Sequence, residues 1–157
     1  MADQPDLEPT DAEIETRLRA VAPAYREAMW SALADVLDED EHLHWEGGQQ
    51  VGVRVVDGEE RPVTQMPYAV YSAAADRLRV ALGALVVPFA WPDWDGVHRY
   101  RGGQGLAEAP VADAVRMIIA VLRSERFSDG SIAGAIEDDT LPAAVRRVRA
   151  WYEAQGG

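Results

Sequence analysis

The sequence predicts an α+β domain that is mainly α: a compact helical body of about six helices with a short β-hairpin or small antiparallel sheet in the middle. Three observations carry this expectation. Apolar residues recur at three- and four-residue spacing over six separate stretches. Regular alternation is confined to Val51 through Val56 and is followed by the turn pair Asp57-Gly58. Strands do not alternate with helices in the way a parallel sheet requires. A chain of 157 residues hides roughly 70% of its unfolded surface in one core. With 48% hydrophobic and 27% charged residues, it has the composition of a globular domain rather than of a disordered chain. Residues 1–9, polar and acidic with two prolines, are expected to be a disordered tail, and 10–155 a single globular domain without internal repeat or linker.

Taken in order, Thr10 and Glu13 stand at capping-box spacing and should start the first helix, with Ile14, Leu18 and Val21 inward. Pro23 suits the first turn of a second helix, which carries Met29, Leu33, Val36 and Leu37 to the core and runs out into Asp38-Glu39-Asp40-Glu41. Four acids at the negative end of a helix dipole should stop it there. His42 to Gln50, with Trp45 and Gly47-Gly48, reads as a loop. The hairpin follows, and Pro67 confines the segment through Tyr68, Val70 and Tyr71 to an edge or a strand end. Ser72 caps a third helix ending near Gly83, with Ala75, Leu78 and Leu82 inward. Leu85 to Val87 is a short buried run, and Phe89 to Gly96, with two prolines, is an ordered loop built on turns. Val97 to Glu108 contains Gly102, Gly103 and Gly105 without periodicity and is expected to be a mobile loop. Pro110 opens the clearest helix, with Val111, Val115, Ile118, Ile119 and Leu122 on one face. A short helix over 128–137, capped by Ser128 or Asp129, and a last one capped by Thr140 complete the count.

Charge and composition then exclude function classes. Fifteen basic residues against 27 acidic ones give a net charge of −12, which repels phosphate backbones and anionic headgroups, so nucleic acid and membrane are not expected as partners. The absence of cysteine removes disulfides, thiolate catalysis and Cys-type zinc sites. An amino terminus without a basic and then apolar segment, and no apolar run of membrane-spanning length, predict a cytoplasmic location. No phosphate-binding loop, dinucleotide fingerprint or His-Glu-x-x-His is present, so no cofactor is expected.

Three constellations offer chemistry. His42 and His44, with Glu41 and Glu46 beside them, are weak metal candidates, because residues i and i+2 of an extended segment point the same way. Trp91, Asp93, Trp94 and Asp95, extended by His98 and Tyr100, combine rigid aromatic faces with carboxylates that orient a polar or cationic ligand. The alternative there is tryptophans plugging a loop against the core. Arg126 to Ser131 places a hydroxyl, an acid and a glycine at a helix start. It lacks the Gly-x-Ser-x-Gly spacing of a nucleophile elbow, so helix capping, with Arg126 paired to an acid, is the plainer account.

Met66-Pro67-Tyr68 with Tyr71-Ser72, then Phe89-x-Trp91-Pro92-x-Trp94, then Arg126-Phe127-Ser128-Asp129-Gly130 form a pattern that resembles a family of small bacterial proteins known only as a domain of unknown function. The resemblance covers about residues 45–152. In that family the position of Ala90 often holds an acid and that of Ser128 a cysteine, and this chain departs at both. The resemblance implies a self-contained domain and brings the three segments together around one pocket; it supplies no activity. The expected function is a binding or regulatory module that receives a small molecule or peptide, with Tyr68, Tyr71, Trp91, Asp93, Trp94, Asp95, Arg126 and Asp129 as candidate ligand contacts. The alternatives are a carboxylate- or metal-dependent hydrolase using Asp93, Asp95, His98 and Asp129, and a self-association module forming a homo-oligomer.

Overall fold

The computed structural model describes residues 8–156. Most of the expected 1–9 tail therefore lies outside the described residues; Pro9, inside them, accepts a hydrogen bond from Arg116 at 3.1 Å. Among the described residues the protein is α+β and mainly α, with seven α-helices and two small antiparallel strand pairs. The helices are α1 (Asp11–Ala20), α2 (Pro23–Leu37), α3 (Ala73–Leu82), α4 (Gly96–Arg99), α5 (Val111–Ser124), α6 (Ser131–Glu137) and α7 (Thr140–Ala154). The strands are β1 (Leu43–Glu46), β2 (Gln50–Val56), β3 (Glu59–Thr64) and β4 (Tyr68–Tyr71).

All six expected helices form, and several of their ends follow from the residues that mark them. The Thr10 hydroxyl accepts the Glu13 amide at 3.2 Å, and the Glu13 carboxylate accepts the Thr10 amide at 2.7 Å. Pro23 opens α2, and Ser72 Oγ accepts the Ala75 amide at 3.1 Å to open α3. Leu37 is a correction: it is 51% exposed while Val36 is fully buried, because consecutive helical residues point about 100° apart.

α5 is the centre of the body. Its buried face, Val111 to Val121, packs against α1, α4, α6 and α7. α2 is clamped between α3 and α7, and one continuous core joins Ile14, Leu18, Met29, Leu78, Ile118 and Val148. An ionic strap holds α1 on α5: Arg116 meets Asp113 at 2.9 Å and Asp11 at 2.7 Å, and Asp113 accepts the Tyr100 hydroxyl at 2.6 Å.

The glycine-rich span expected to be a mobile loop is instead α4 followed by two 3-10 turns, Arg101–Gly103 and Leu106–Glu108, both packed on α7. Thr140, expected to cap α7, is its first residue and is buried. Its hydroxyl accepts the Gly102 amide at 2.9 Å, so the side chain anchors this span instead. A side chain at Gly103 would meet Ala143 at 2.7 Å and the Asp139 carbonyl at 2.9 Å, so glycine is what lets the turn lie flat on α7.

The strands form one long ribbon broken in the middle. β2 and β3 pair through Val53↔Pro62 and Val55↔Glu60 and close on Asp57 (φ 52°) and Gly58 (φ 78°), the positive-φ pair of a two-residue hairpin turn. β1, which sequence reading leaves as a loop, pairs with β4 through Leu43↔Tyr71 and Trp45↔Ala69. Between the pairs the chains cross at Gly47, whose φ is +89° and whose absent Cβ would lie 2.6 Å from the Met66 carbonyl oxygen.

Candidate functional site

The Glu125–Gly130 turn between α5 and α6 is where the separate segments meet. α6 does not begin at residue 128 and neither Ser128 nor Asp129 caps it. Gly130 occupies the cap position in the left-handed region (φ 93°), and the Glu125 carboxylate accepts the Gly130 amide at 2.9 Å and the Ile132 amide at 2.8 Å. A carboxylate at a helix start takes up otherwise unpaired N–H groups and faces the positive end of the helix dipole. This leaves Arg126, Phe127, Ser128 and Asp129 exposed on a bridge pinned at both ends.

Tyr71 reaches the turn from β4. Its ring packs against the core, and its hydroxyl is buried. Burial, then the neighbouring Glu125 carboxylate, pushes its phenol well above the ordinary tyrosine value. Leu43, across the ladder from Tyr71, comes within 3.7 Å of the position a Gly130 side chain would take. Trp91 reaches the turn from the loop before α4: its ring stands 6.2 Å from that of Phe127, tilted by 37°. Phe127 is 80% exposed. Tyr71 and Trp91 thus each approach the same turn from separate segments.

Other candidates behave differently. Trp94 plugs its loop: its ring stands 6.0 Å from Phe89 and 6.2 Å from Tyr100. It lies over Gly96, where a Cβ would fall 2.1 Å from the indole. Asp95 pairs with Arg99 at 3.0 Å, while Asp93, His98 and Asp129 are exposed. Arg126 makes no ion pair among the described residues. Tyr68 points to the outer face of the ribbon, where its hydroxyl donates to Glu46 at 2.9 Å. His44 Nε2 stands 2.9 Å from the other oxygen of that carboxylate.

His42 and His44 do not act as a pair. β1 begins at Leu43, so His42 precedes the pleat and is buried, with Nδ1 lacking a hydrogen-bond partner, while His44 is exposed. Among the described residues no group of three or more His, Asp or Glu is arranged to hold a metal ion. The metal form of the hydrolase reading has no ligand set there.

A family model described as "Family of unknown function (DUF6508)" matches residues 24–154. The chain belongs to this family. The match takes in α2 to α7 and both strand pairs, and so every segment that builds the Glu125–Gly130 site of this DUF6508 protein, while α1 precedes it. No curated protein and no solved structure matches the chain. Among the described residues, no helix is long and apolar enough to cross a membrane.

Glu125, Phe127 and Leu43 are the site residues that sequence reasoning misses. Phe127 is visible as the single apolar residue in a polar turn. Glu125 stands five residues before the amide it holds, outside the spacing of any familiar capping motif.

Proposed function

We propose that this DUF6508 protein is a non-catalytic, cytoplasmic binding module of bacterial origin. Its docking point is the Phe127–Trp91 pair, and it receives an apolar anchor residue of a partner peptide. The observation that carries the reading is an 80% exposed phenylalanine, tilted against a half-buried tryptophan, on a turn held by two hydrogen bonds to Glu125. Large exposed aromatics are costly to leave in water, and a rigid pair loses little conformational entropy on binding. Asp93 and Asp129, each two residues from one of the rings and exposed, favour a basic flank beside the anchor. Tyr71 lies beside the Glu125 carboxylate that holds the turn, and no cofactor enters this reading.

The test is a display library of short peptides panned against the full chain, followed by amide chemical-shift mapping of the selected sequences. Peptides with an aromatic or aliphatic anchor and Lys or Arg beside it are expected, with shifts centred on Phe127. Phe127→Ala should weaken binding at least tenfold without changing the melting temperature. Selected peptides that shift resonances elsewhere, or bind Phe127→Ala equally well, would end the reading. A second copy of the chain is the alternative occupant of the same rings. Sedimentation across a concentration series separates it from the peptide reading, through a mass that doubles and returns to monomer in Phe127→Ala.

A further inference from the structure

An apolar concavity far from this turn in the sequence is lined in part by α1, the helix that precedes the family match. It is a cleft of about 360 Å³, lined by Ile14 and Leu18 of α1, by Leu85 and Val87, and by Val115 of α5. These five residues are each at most 5% exposed, so the cleft opens directly onto the core. Its volume falls at the small end of ligand pockets, roughly 300–1,000 Å³. Helix α1 is fixed independently, by Arg116 on Asp11 at 2.7 Å and by the Tyr152 hydroxyl on the Leu18 carbonyl.

The charge around the mouth is the second observation. No acidic side chain lines the cleft, although the chain carries 27 of them. The one charged residue in the lining is Arg17, exposed at the mouth and making no ion pair among the described residues. Glu8 and Glu13 line the adjoining concavity with Arg17 but form no ion pair with it; Glu13 holds the Thr10 amide at 2.7 Å, and Glu15 meets Arg19 at 3.4 Å. An unpaired guanidinium in the lining of a mainly aliphatic cleft matches a molecule with one carboxylate and a short apolar tail. The fork of N–H groups takes the carboxylate, and burial takes the tail.

We infer that the α1 cleft is a binding site for a small amphiphilic monocarboxylate, with Arg17 as its carboxylate anchor. The inference is independent of the peptide surface at Phe127 and can fail without it.

Octanoate and octanol are the probes, titrated calorimetrically into the full chain at low salt, with methyl resonances of Leu18, Leu85 and Val115 as reporters of place. Octanoate should bind saturably, shift these methyls, and weaken about tenfold in Arg17→Gln, the effect of losing one charge-assisted contact. Octanol should bind more weakly and be indifferent to that substitution. Ala84→Trp, an exposed position on the rim, should block both probes while leaving the circular dichroism and melting temperature unchanged. Absence of saturable octanoate binding, equal affinity in Arg17→Gln, or shifts confined to other methyls would overturn the inference. So would a chain that sediments as a dimer and becomes monomeric in Ala84→Trp, which would assign the cleft to a second copy.

Discussion

The two halves of the ribbon are built from the same hydrogen-bonded ladder and are held by different forces. The base, β1 with β4, lays Leu43 and Tyr71 against the turn that starts α6, and its register is set by what those side chains bury. The tip, β2 with β3, is exposed at every residue but the half-buried Val56, and Val53 and Val55 stand in water at 55% and 65% exposure. Its register comes from the Asp57-Gly58 turn alone. An isolated two-stranded hairpin is marginal in water, so the base belongs to the cooperative fold and the tip is a local structure attached to it. The crossing at Gly47 is the boundary between the two.

The boundary residue should therefore give the largest effect. Gly47→Ala puts a Cβ 2.6 Å from the Met66 carbonyl at a φ of +89° and should cost about 3 kcal/mol, from left-handed strain plus the displaced backbone. In thermal unfolding this is a fall of about 10 °C. A melting temperature unchanged within a degree would mean the two halves are not coupled through this crossing.

Next is Glu125→Ala, which removes the acceptor of the Gly130 and Ile132 amides and should destabilise by about 2 kcal/mol. It should also loosen Phe127 and weaken peptide binding beyond the loss in stability. The tip offers the contrast. Val53→Thr and Val55→Thr should each change stability by less than about 0.5 kcal/mol, and amides of β2 and β3 should exchange with solvent faster than those of β1 and β4. Equal protection in both pairs would mean that base and tip open as one unit.

What the sequence made visible follows the same division. Every structure fixed by neighbours was legible: the Thr10–Glu13 box, Pro23 at the start of α2, the Ser72 cap and the Asp57-Gly58 hairpin all depend on residues within three positions of each other. β1 was not legible, because the ladder partner of Leu43 is Tyr71, on the far side of the whole β2–β3 hairpin in sequence. Thr140 has the residue type of a cap, but its hydroxyl accepts the amide of Gly102, 38 residues earlier. The Glu125–Gly130 site was half legible: the motif named the turn and its aromatic neighbours, but no spacing rule pointed to Glu125, whose carboxylate holds the Gly130 and Ile132 amides. Acids in loops are frequent in a chain with 27 of them, so residue type alone could not separate a solvated carboxylate from the one that organises the site.

The inner and outer faces of the base should also titrate differently. On the inner face the Tyr71 phenol lies above the ordinary value near 10, raised by burial and then by Glu125. A raised folded value means that the stabilisation is present below the unfolded value and is lost as pH climbs through the folded one. Alkaline unfolding should therefore set in above about pH 10 and be shallower in Tyr71→Phe, with the remaining slope shared by Tyr100 and Tyr152, whose phenols are also raised by burial.

On the outer face Glu46 is depressed below its ordinary value of 4.5, first by the His44 hydrogen bond and then by the Tyr68 hydroxyl. The sign is opposite: its contribution is present above that value and is lost as pH falls through the folded one. Because the carboxylate is exposed, solvent screens the pair and stability should barely respond to its removal. The readout is the carboxylate carbon shift of Glu46 against pH. Its midpoint should rise most in His44→Ala and less in Tyr68→Phe; a midpoint at the ordinary value in the unsubstituted chain would place both partners out of reach in solution and reduce the outer face to an unlinked surface.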